Sequence, residues 1–215
     1  MFQFYDIEQN TEEWFSMRGG RLTSSNLGKV MANDGKAFGE PAKKYAVQIA
    51  IEQITGNPIS SSYSNEHMER GHEQEPIARM LYEEETFSTV NNGGFFCSDE
   101  IGCSPDGLVF DDGVIEIKSV IESVHFANVK RQNFDPVYKW QFVGNLKFTG
   151  RDWIDFVSYC ATYPIDKQLY IYRMHKESYQ EEFKQIDSRV NEFMFLVAKT
   201  KAEIKNSNYF LGENR

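Results

Sequence analysis

The sequence is poor in cysteine and has no long apolar run, and each absence excludes a class of protein. Its 215 residues include three cysteines, none of them in a Cys-x-x-Cys pair, so neither a disulfide framework nor a zinc ribbon is predicted. No window holds 18 uninterrupted apolar residues, and the first residues lack the basic start and apolar stretch of a signal peptide. We therefore expect a protein of a reducing, cytoplasmic compartment with no membrane span.

Several nucleotide- and metal-binding signatures are also missing. There is no Gly-x-x-x-x-Gly-Lys-Ser/Thr loop, so ATP-driven translocation by this chain is not predicted. His67 and His72 are five residues apart, do not share a helix face and belong to no His-Glu-x-x-His motif, so we interpret them as surface residues. Three scattered cysteines cannot supply the four ligands of an iron–sulfur cluster.

What the chain does contain is enough apolar material for one core. Hydrophobic residues make up 40% and aromatic residues 14%, and the length predicts a single domain over residues 1–215. A formal net charge of −9 argues against a protein that coats nucleic acid nonspecifically. Residues 17–50 and 118–151 nevertheless each carry six basic and two acidic residues. These two basic segments either line one groove or reflect ordinary charge scatter.

Capping signals and hydrophobic periodicity divide the chain into three parts. An N-terminal helical part, 1–86, precedes a strand-rich part, 87–175, and a C-terminal helix, 177–205. In the first part, Thr11 caps a short helix that ends at Gly19, and a further helix starts at residues 23–25. Two longer helices follow at 41–54 and 64–85, and Pro76 is expected to kink or divide the second.

The strand-rich part is predicted from short apolar runs separated by turn signals. Asn91–Gly94 and Asp111–Gly113 have the composition of hairpin turns, and a helix is expected at 136–148. The pattern predicts an α/β or α+β fold in which helices flank a mixed central sheet. The predicted strands are 87–90, 94–98, 101–103, 107–110, 114–120, 153–160 and 168–174.

Charged residues on the second predicted hairpin need an explanation, because apolar packing would serve a half-buried strand better. The period of two sends Glu116 and Lys118 to one face of the strand, and Asp106 lies in a Ser-Pro-Asp-Gly bend. Two converging carboxylates repel unless a cation lies between them, and oxygen ligands suit Mg²⁺ or Mn²⁺. Taken singly, Glu-x-Lys is typical of a solvated face and Ser-Pro-Asp-Gly of a simple turn.

Together, Asp106 and Glu116-Ile117-Lys118 resemble the active-site hairpin of the PD-(D/E)xK nucleases, which implies a restriction-endonuclease-like core. Four further stretches, in the same order along the chain, resemble the lambda-exonuclease or YqaJ-type viral recombinase family. They are Trp14-(three)-Arg18-(four)-Thr23-Ser24-Ser25, Arg70-Gly71-(three)-Glu75-(two)-Ala78-Arg79-(two)-Tyr82, Tyr138-(two)-Gln141 and Phe210-Leu211-Gly212-Glu213.

The resemblance implies a divalent-metal site. Asp106 and Glu116 become metal ligands, the backbone carbonyl of Ile117 a third, and Glu75 reaches the same site from its helix. The implied cofactor is Mg²⁺ or Mn²⁺, with two ions per site.

The remaining roles are also carried over from the family. Lys118 would position or deprotonate the attacking water and stabilise charge on the phosphate. Gln141 would orient water or substrate. Arg18, Ser25 and Ser104 match a pocket for the 5′-phosphate of DNA, to which the fork of an arginine is suited.

Three departures from the family pattern bear on how duplex ends are gripped. Ser24 replaces an alanine, Arg70 stands where the lambda enzyme has tryptophan, and the loop after Lys118 is shorter. None of them touches the catalytic set.

The function implied by the resemblance is an Mg²⁺-dependent 5′→3′ exonuclease on linear double-stranded DNA. It would release 5′-mononucleotides and leave 3′ single-stranded tails for an annealing protein in phage-type recombination, in the host cytoplasm. The family likeness also implies a homotrimer. A structure-specific or restriction-type endonuclease on the same core, and a non-catalytic DNA-binding or assembly subunit, are the alternatives.

Overall fold

The structure of the chain is a computed structural model that describes residues 2–33, 35–59 and 66–207, without the side chains of residues 66–69 and 72. The stretch Phe210–Glu213 and the side chains of His67 and His72, which entered the sequence interpretation, lie outside the described residues.

The N-terminal part contains the four predicted helices. They are α1 (Glu12–Arg18), α2 (Leu27–Met31), α3 (Glu40–Thr55) and α4 (Glu66–Thr86), and a 3-10 turn (Ser24–Asn26) leads into α2. The predicted cap is present, since the Thr11 side chain accepts a hydrogen bond from the backbone N–H of Trp14 at 3.2 Å.

Pro76 does not divide the fourth helix, so that part of the prediction was wrong. Helix α4 is continuous across this residue. A proline removes one backbone hydrogen bond from a helix interior, but Ala78 and Tyr82 on the same helix are completely buried. Their packing against the sheet holds the helix in place and offsets that loss.

The predicted mixed α/β class is confirmed, with the strands divided between two mixed sheets. The larger sheet has the order β3 (Val90–Asn92), β6 (Gly107–Val109), β7 (Gly113–Ser119), β8 (Trp153–Tyr159) and β9 (Leu169–His175). Its pairs are antiparallel except β7 with β8. The smaller sheet has the order β1 (Gln3–Tyr5), β4 (Phe95–Cys97), β5 (Ile101–Cys103) and β2 (Leu22–Thr23).

The segment Asn91–Gly94 is not a hairpin turn, which corrects the sequence interpretation. Strand β3 pairs with β6, whereas β4 pairs with β1 and β5, so this segment carries the chain from one sheet to the other. Its glycines serve a close approach. A Cβ on Gly93 would lie 1.7 Å from the carbonyl oxygen of Pro105. Gly93 therefore lets the crossing segment lie against the bend that precedes Asp106.

One helix was not predicted. Helix α5 (Glu122–Arg131) packs on β8 and β9, and α6 (Lys139–Thr149) and α7 (Gln180–Asn206) were expected. The buried face of α5 is polar, since it consists of His125 and Asn128, which both contact the Ser158 hydroxyl. A helix with a polar inner face lacks the apolar periodicity by which helices are found in a sequence.

Two apolar clusters lie on opposite faces of the larger sheet. The larger cluster contains buried residues of α2, α3, α6 and α7, and the smaller lies between the sheet and α4. Strand β7 contributes to both, because Val114 belongs to the first cluster and Ile115 and Ile117 to the second. Glu116 and Lys118 share the face of Val114, so the charged positions of β7 lie on the side of α6, and α4 covers the opposite face. Among the described residues, no helix is long and apolar enough to cross a membrane.

Candidate active site

The hairpin of β6 and β7 brings the predicted acidic residues together. Asp111–Gly113 forms the predicted turn, and the register pairs Gly107 with Ile115. The next pair along the register places Asp106 opposite Glu116. The backbone N–H of Asp106 donates to the carbonyl of Ile115 at 3.1 Å, and the N–H of Ile117 donates to Asp106 Oδ2 at 2.6 Å. The backbone of one strand thus orients the carboxylate of the other.

Three donors converge on the Glu116 carboxylate, which is only 1% exposed. Lys118 Nζ lies 2.7 Å from Oε1, and Gln141 also donates to Oε1. Asn145 Nδ2 donates to Oε2 at 2.7 Å. Gln141 and Asn145 reach the same carboxylate because they are four residues apart on α6 and share one face. The predicted set of Glu116, Lys118 and Gln141 is therefore brought together.

Helix α4 adds the predicted Glu75 from the other side of the sheet. Its carboxylate lies 3.7 Å from Arg79 Nη2, and Arg79 also donates to the backbone carbonyl of Asp106. Arg79 therefore ties the helix that carries Glu75 to the bend that carries Asp106.

Burial and mutual repulsion raise the pKa of two of the three carboxyl groups. Burial, and then the charge of Asp106, raises the pKa of Glu75 to about 7. The same two causes raise the pKa of Glu116 to about 8, against the opposing effect of Lys118. Two carboxyl groups whose ionisation is penalised by burial and by neighbouring carboxylates make a site that a cation would stabilise.

The chemistry of these side chains fits a divalent cation. Asp106, Glu116 and Glu75 supply the oxygen ligands that Mg²⁺ and Mn²⁺ prefer, and their repulsion is what such an ion relieves. In the described ranges, however, no three acidic, histidine or cysteine side chains are gathered in a metal-holding group. The Glu116 oxygens face the donors on Lys118 and α6, and Asp106 Oδ2 faces the backbone of β7.

Lys118 is a charged group in this environment. Burial lowers its pKa, but the charges of Glu116 and Asp106 outweigh burial and raise the pKa above its ordinary value. Its ammonium also lies 5.2 Å from the centre of the Tyr138 ring. A lysine that keeps its proton at neutral pH is suited to stabilising negative charge on a phosphate. The same proton makes it a poor base, which favours charge stabilisation over deprotonation of water.

The predicted 5′-phosphate residues lie on both sides of a tryptophan. The Arg18 guanidinium is 4.1 Å from the centre of the Trp14 ring, and its Nη2 donates to Ser25 Oγ at 3.3 Å. On the other side, Trp14 Nε1 donates to Ser104 Oγ at 2.9 Å. The Ser104 hydroxyl donates a hydrogen bond to the carbonyl of Gly94 at 2.6 Å. Arg18 and Ser25 are thus adjacent, whereas Ser104 is placed to orient Trp14.

Several cations of the second basic segment, 118–151, are committed to contacts within the chain. Lys139 pairs with Glu182 at 3.0 Å and Lys147 with Asp187 at 2.9 Å. Arg151 donates to the carbonyls of Phe110 and Gly113. These side chains hold α6 and α7 together or brace the β6–β7 hairpin, so much of the local positive charge is structural.

Sequence reasoning missed Asn145 and Arg79 as members of the site. Asn145 is completely buried yet polar, in a helix where Phe142, Val143 and Leu146 are buried and apolar. Its spacing of four from Gln141 is the signal that could have revealed it. Arg79 gives no such signal, because a Glu–Arg pair four apart is common on solvated helices.

Comparisons with known proteins show the family of this chain. Residues 13–152 match the model of the YqaJ-like viral recombinase domain, and this match spans α1, the β6–β7 hairpin and α6. The chain belongs to the YqaJ-like viral recombinase family.

Solved structures of related chains share the fold. The alkaline exonuclease LHK-Exo from Laribacter hongkongensis is 31% identical over 91% of this chain and 98% of its own, with a TM-score of 0.76. The complex of LHK-Exo with dAMP gives 32% identity over the same shares and a TM-score of 0.77. A phage-related exonuclease from Haemophilus somnus is 16% identical over 86% of this chain and 96% of its own, with a TM-score of 0.67, which shows the fold alone. Curated protein sequences give no significant match.

The raised pKa values of Glu75 and Glu116 predict that a metal held by this YqaJ-family chain would bind with a pH-dependent affinity. At pH 6 Glu75 and Glu116 hold protons, with pKa values of about 7 and about 8, and a cation must displace them. We expect the affinity for Mg²⁺, measured by calorimetry, to rise at least ~10-fold from pH 6.5 to 8.5. Glu75→Gln should flatten the slope, and an affinity independent of pH would contradict the assignment.

The same pKa values predict how the metal-free fold responds to pH. Both values lie above the ordinary 4.5, so the folded chain binds these protons more tightly than the unfolded chain does. This contribution to stability is complete below about pH 4.5 and is lost as the pH rises through 7 to 8. We expect Mg²⁺ to raise the Tm more at pH 8.5 than at pH 6 in a thermal scan.

Proposed function

We propose that this chain is a divalent-metal-dependent 5′→3′ exonuclease that degrades linear double-stranded DNA. Membership of the YqaJ-like viral recombinase family supports a nuclease that acts on DNA. The finer proposal is that it releases 5′-mononucleotides and leaves 3′ single-stranded tails, which an annealing protein uses in recombination in the host cytoplasm. LHK-Exo has been crystallised with dAMP, a mononucleotide, which fits a product of this kind.

The observation that carries the proposal is the convergence on Glu116. Burying the Glu116 carboxylate beside Lys118, Gln141 and Asn145 costs stability, and such a cost is typical of a residue that serves chemistry. Perturbed pKa values of this kind are typical of catalytic sites. A subunit that only binds DNA has no need of them.

The reaction follows from the chemistry of these residues. A cation held by Asp106, Glu116, Glu75 and the Ile117 carbonyl, with two ions per site, would supply Lewis-acid activation at the scissile phosphate. Lys118 stays protonated and stabilises the charge that develops on the phosphate oxygens. Gln141, already bonded to Glu116, orients water or substrate from α6.

Linear and closed circular DNA separate this proposal from its alternatives. In Mg²⁺, the exonuclease degrades linear duplex progressively and leaves covalently closed circles intact. Nicked or linearised circles would instead identify a structure-specific or restriction-type endonuclease, and unchanged DNA of both kinds a binding subunit. Asp106→Ala protein, purified in parallel by the same procedure, is the control for a contaminating nuclease.

A second prediction concerns the 5′ end. Arg18 and Ser25 are adjacent and lie beside Trp14, so we propose that they bind the terminal phosphate, with Ser104 supporting them. A 5′-phosphorylated duplex should be digested faster than its 5′-hydroxyl form. Arg18→Ala should erase most of that difference, because it removes a charge-assisted contact. Such a contact contributes about 1.5–3 kcal/mol of binding free energy.

The matched control for this prediction is Lys43→Ala. Lys43 is exposed, lies in the same basic segment and pairs with Glu40 at 2.8 Å. It should keep the difference between the two ends. Equal rates on both ends in the unmodified enzyme would dismiss the phosphate pocket.

A third prediction concerns assembly, where the family likeness supports a homotrimer. The apolar side of α7 does not provide the contact, since Phe183, Ile186, Val190, Phe193 and Val197 are buried within the chain. Light scattering behind a sizing column should give three times the 24.9 kDa of one chain. A mass of one chain at working concentration would contradict the trimer.

A further inference from the structure

A chain of buried hydrogen bonds leads from Glu116 to the turn that carries Ser25. Asn145 Nδ2 donates to Glu116 Oε2 at 2.7 Å, and Ser24 Oγ donates to Asn145 Oδ1 at 2.5 Å. All three side chains are at most 2% exposed. Because the amide of Asn145 donates at one end and accepts at the other, the geometry fixes one orientation for it.

The turn at the other end of this chain is held tightly against α6. A Cβ on Gly144 would lie 2.4 Å from Leu27 Cδ1 and 3.1 Å from Ser24 Cβ, so the close approach requires glycine. Ser25 follows Ser24 directly and accepts from Arg18, while the Thr23 hydroxyl lies 3.1 Å from that of Ser25. A displacement of Ser25 or Arg18 is therefore transmitted to Ser24 and α6.

We infer that Asn145 and Ser24 are positioning residues that couple occupancy of the 5′-phosphate pocket to metal binding at Glu116. Neither side chain is exposed to substrate, and neither is a metal ligand. The coupling deepens the proposed function and rests on its assignment of the pocket and the metal site. By linkage, a 5′-phosphate that orders the turn should tighten metal binding, and metal should tighten binding of the phosphorylated end.

Asn145 and Ser24 are polar side chains in an otherwise apolar part of the core. Val143 and Leu146, on either side of Asn145 in α6, are completely buried and apolar. An apolar side chain at position 145 would pack among these residues. Of the three donors to Glu116, only Lys118 and Gln141 would then remain. The polar pair keeps a specific connection between two sites that a packed apolar core would not provide.

The test measures Mg²⁺ binding and does not depend on turnover. Calorimetry is done with the full chain and a blunt duplex that carries a 5′-phosphate or a 5′-hydroxyl, with its terminal linkages protected as phosphorothioates. We expect the unmodified protein to bind Mg²⁺ at least about fivefold more tightly with the phosphorylated end, the lower range of typical couplings. Ser24→Ala should bring the ratio close to one, although it leaves Asn145 in place.

Two further variants make the test decisive. Thr149→Val is the matched control, because Thr149 Oγ1 donates to the backbone carbonyl of Asn145 at 2.7 Å and not to its side chain. It should keep the ratio of the unmodified protein. Asn145→Ala should also bring the ratio of the two Mg²⁺ affinities close to one. It replaces Ser24→Ala in the test if circular dichroism shows that Ser24→Ala does not fold.

The inference is overturned if Ser24→Ala keeps the full ratio, or if the unmodified protein binds Mg²⁺ equally with both ends. Unprotected linear duplex that stays intact in the same preparations would contradict the proposed exonuclease and leave the ratio measurable. The two failures are therefore distinguishable.

Discussion

Replacement of Asp106 or Glu116 by alanine should abolish cleavage of DNA while binding of DNA survives. Each variant removes one carboxylate from a small set of oxygen ligands and leaves the cation poorly held. We expect the rate to fall at least ~1,000-fold, which corresponds to about 4 kcal/mol of transition-state stabilisation. The measurement is release of acid-soluble nucleotide in Mg²⁺, together with a gel-shift assay of the same proteins.

Asp111→Ala is the matched control for these variants. Asp111 is an exposed acidic residue on the same β6–β7 hairpin, at the turn and away from Glu116. Its removal should leave the rate of cleavage within about twofold of that of the unmodified protein, as expected for a surface position. Near-normal turnover in either Asp106→Ala or Glu116→Ala would show that the site is wrongly assigned.

Lys118→Ala should cost at least ~100-fold in rate, the usual scale for a lost charge-stabilising group. Its ammonium is not a metal ligand, so affinity for Mg²⁺ should change far less than the rate. Lys118 opposes the rise in the pKa of Glu116, so its removal should also move the pH profile of the rate toward alkaline values. Single-turnover rates across pH 6–10 measure both effects.

Lys130→Ala provides the comparison for a merely electrostatic effect. Lys130 is exposed near the end of α5, in the same basic segment of the sequence. It should alter DNA affinity and its salt dependence with little change in the rate at saturation. If Lys118→Ala behaved in the same way, with a loss confined to binding, Lys118 would be a phosphate contact and not part of the chemistry.

The parts of the fold that the sequence predicted are those with local signals. Asp111–Gly113 fixes the β6–β7 hairpin, and the period of two along β7 separates Glu116 from Ile117, as the structure has them. The cap at Thr11 and the glycine after α3 likewise mark helix ends that depend on a few adjacent residues. From these signals Asp106, Glu116 and Lys118 could be placed side by side.

The parts that the sequence did not predict depend on contacts between distant residues. Helix α5 buries His125 against Ser158, so its pattern is polar where a helix is expected to be apolar. The glycines at Asn91–Gly94 have the composition of a turn but serve a crossing between two sheets. The contact between Asn145 and Ser24 joins residues 121 positions apart, which no local pattern reveals.

End-labelled duplex tests the central claim most directly. Linear blunt duplex carrying a label on either the 5′ or the 3′ terminus of one strand is incubated with the unmodified protein and Mg²⁺. The account predicts that the 5′ label appears first as a free mononucleotide, while the 3′ label stays on a strand that becomes single-stranded. Release of the 3′ label first, internal fragments that carry the 5′ label, or no release of either label would contradict it.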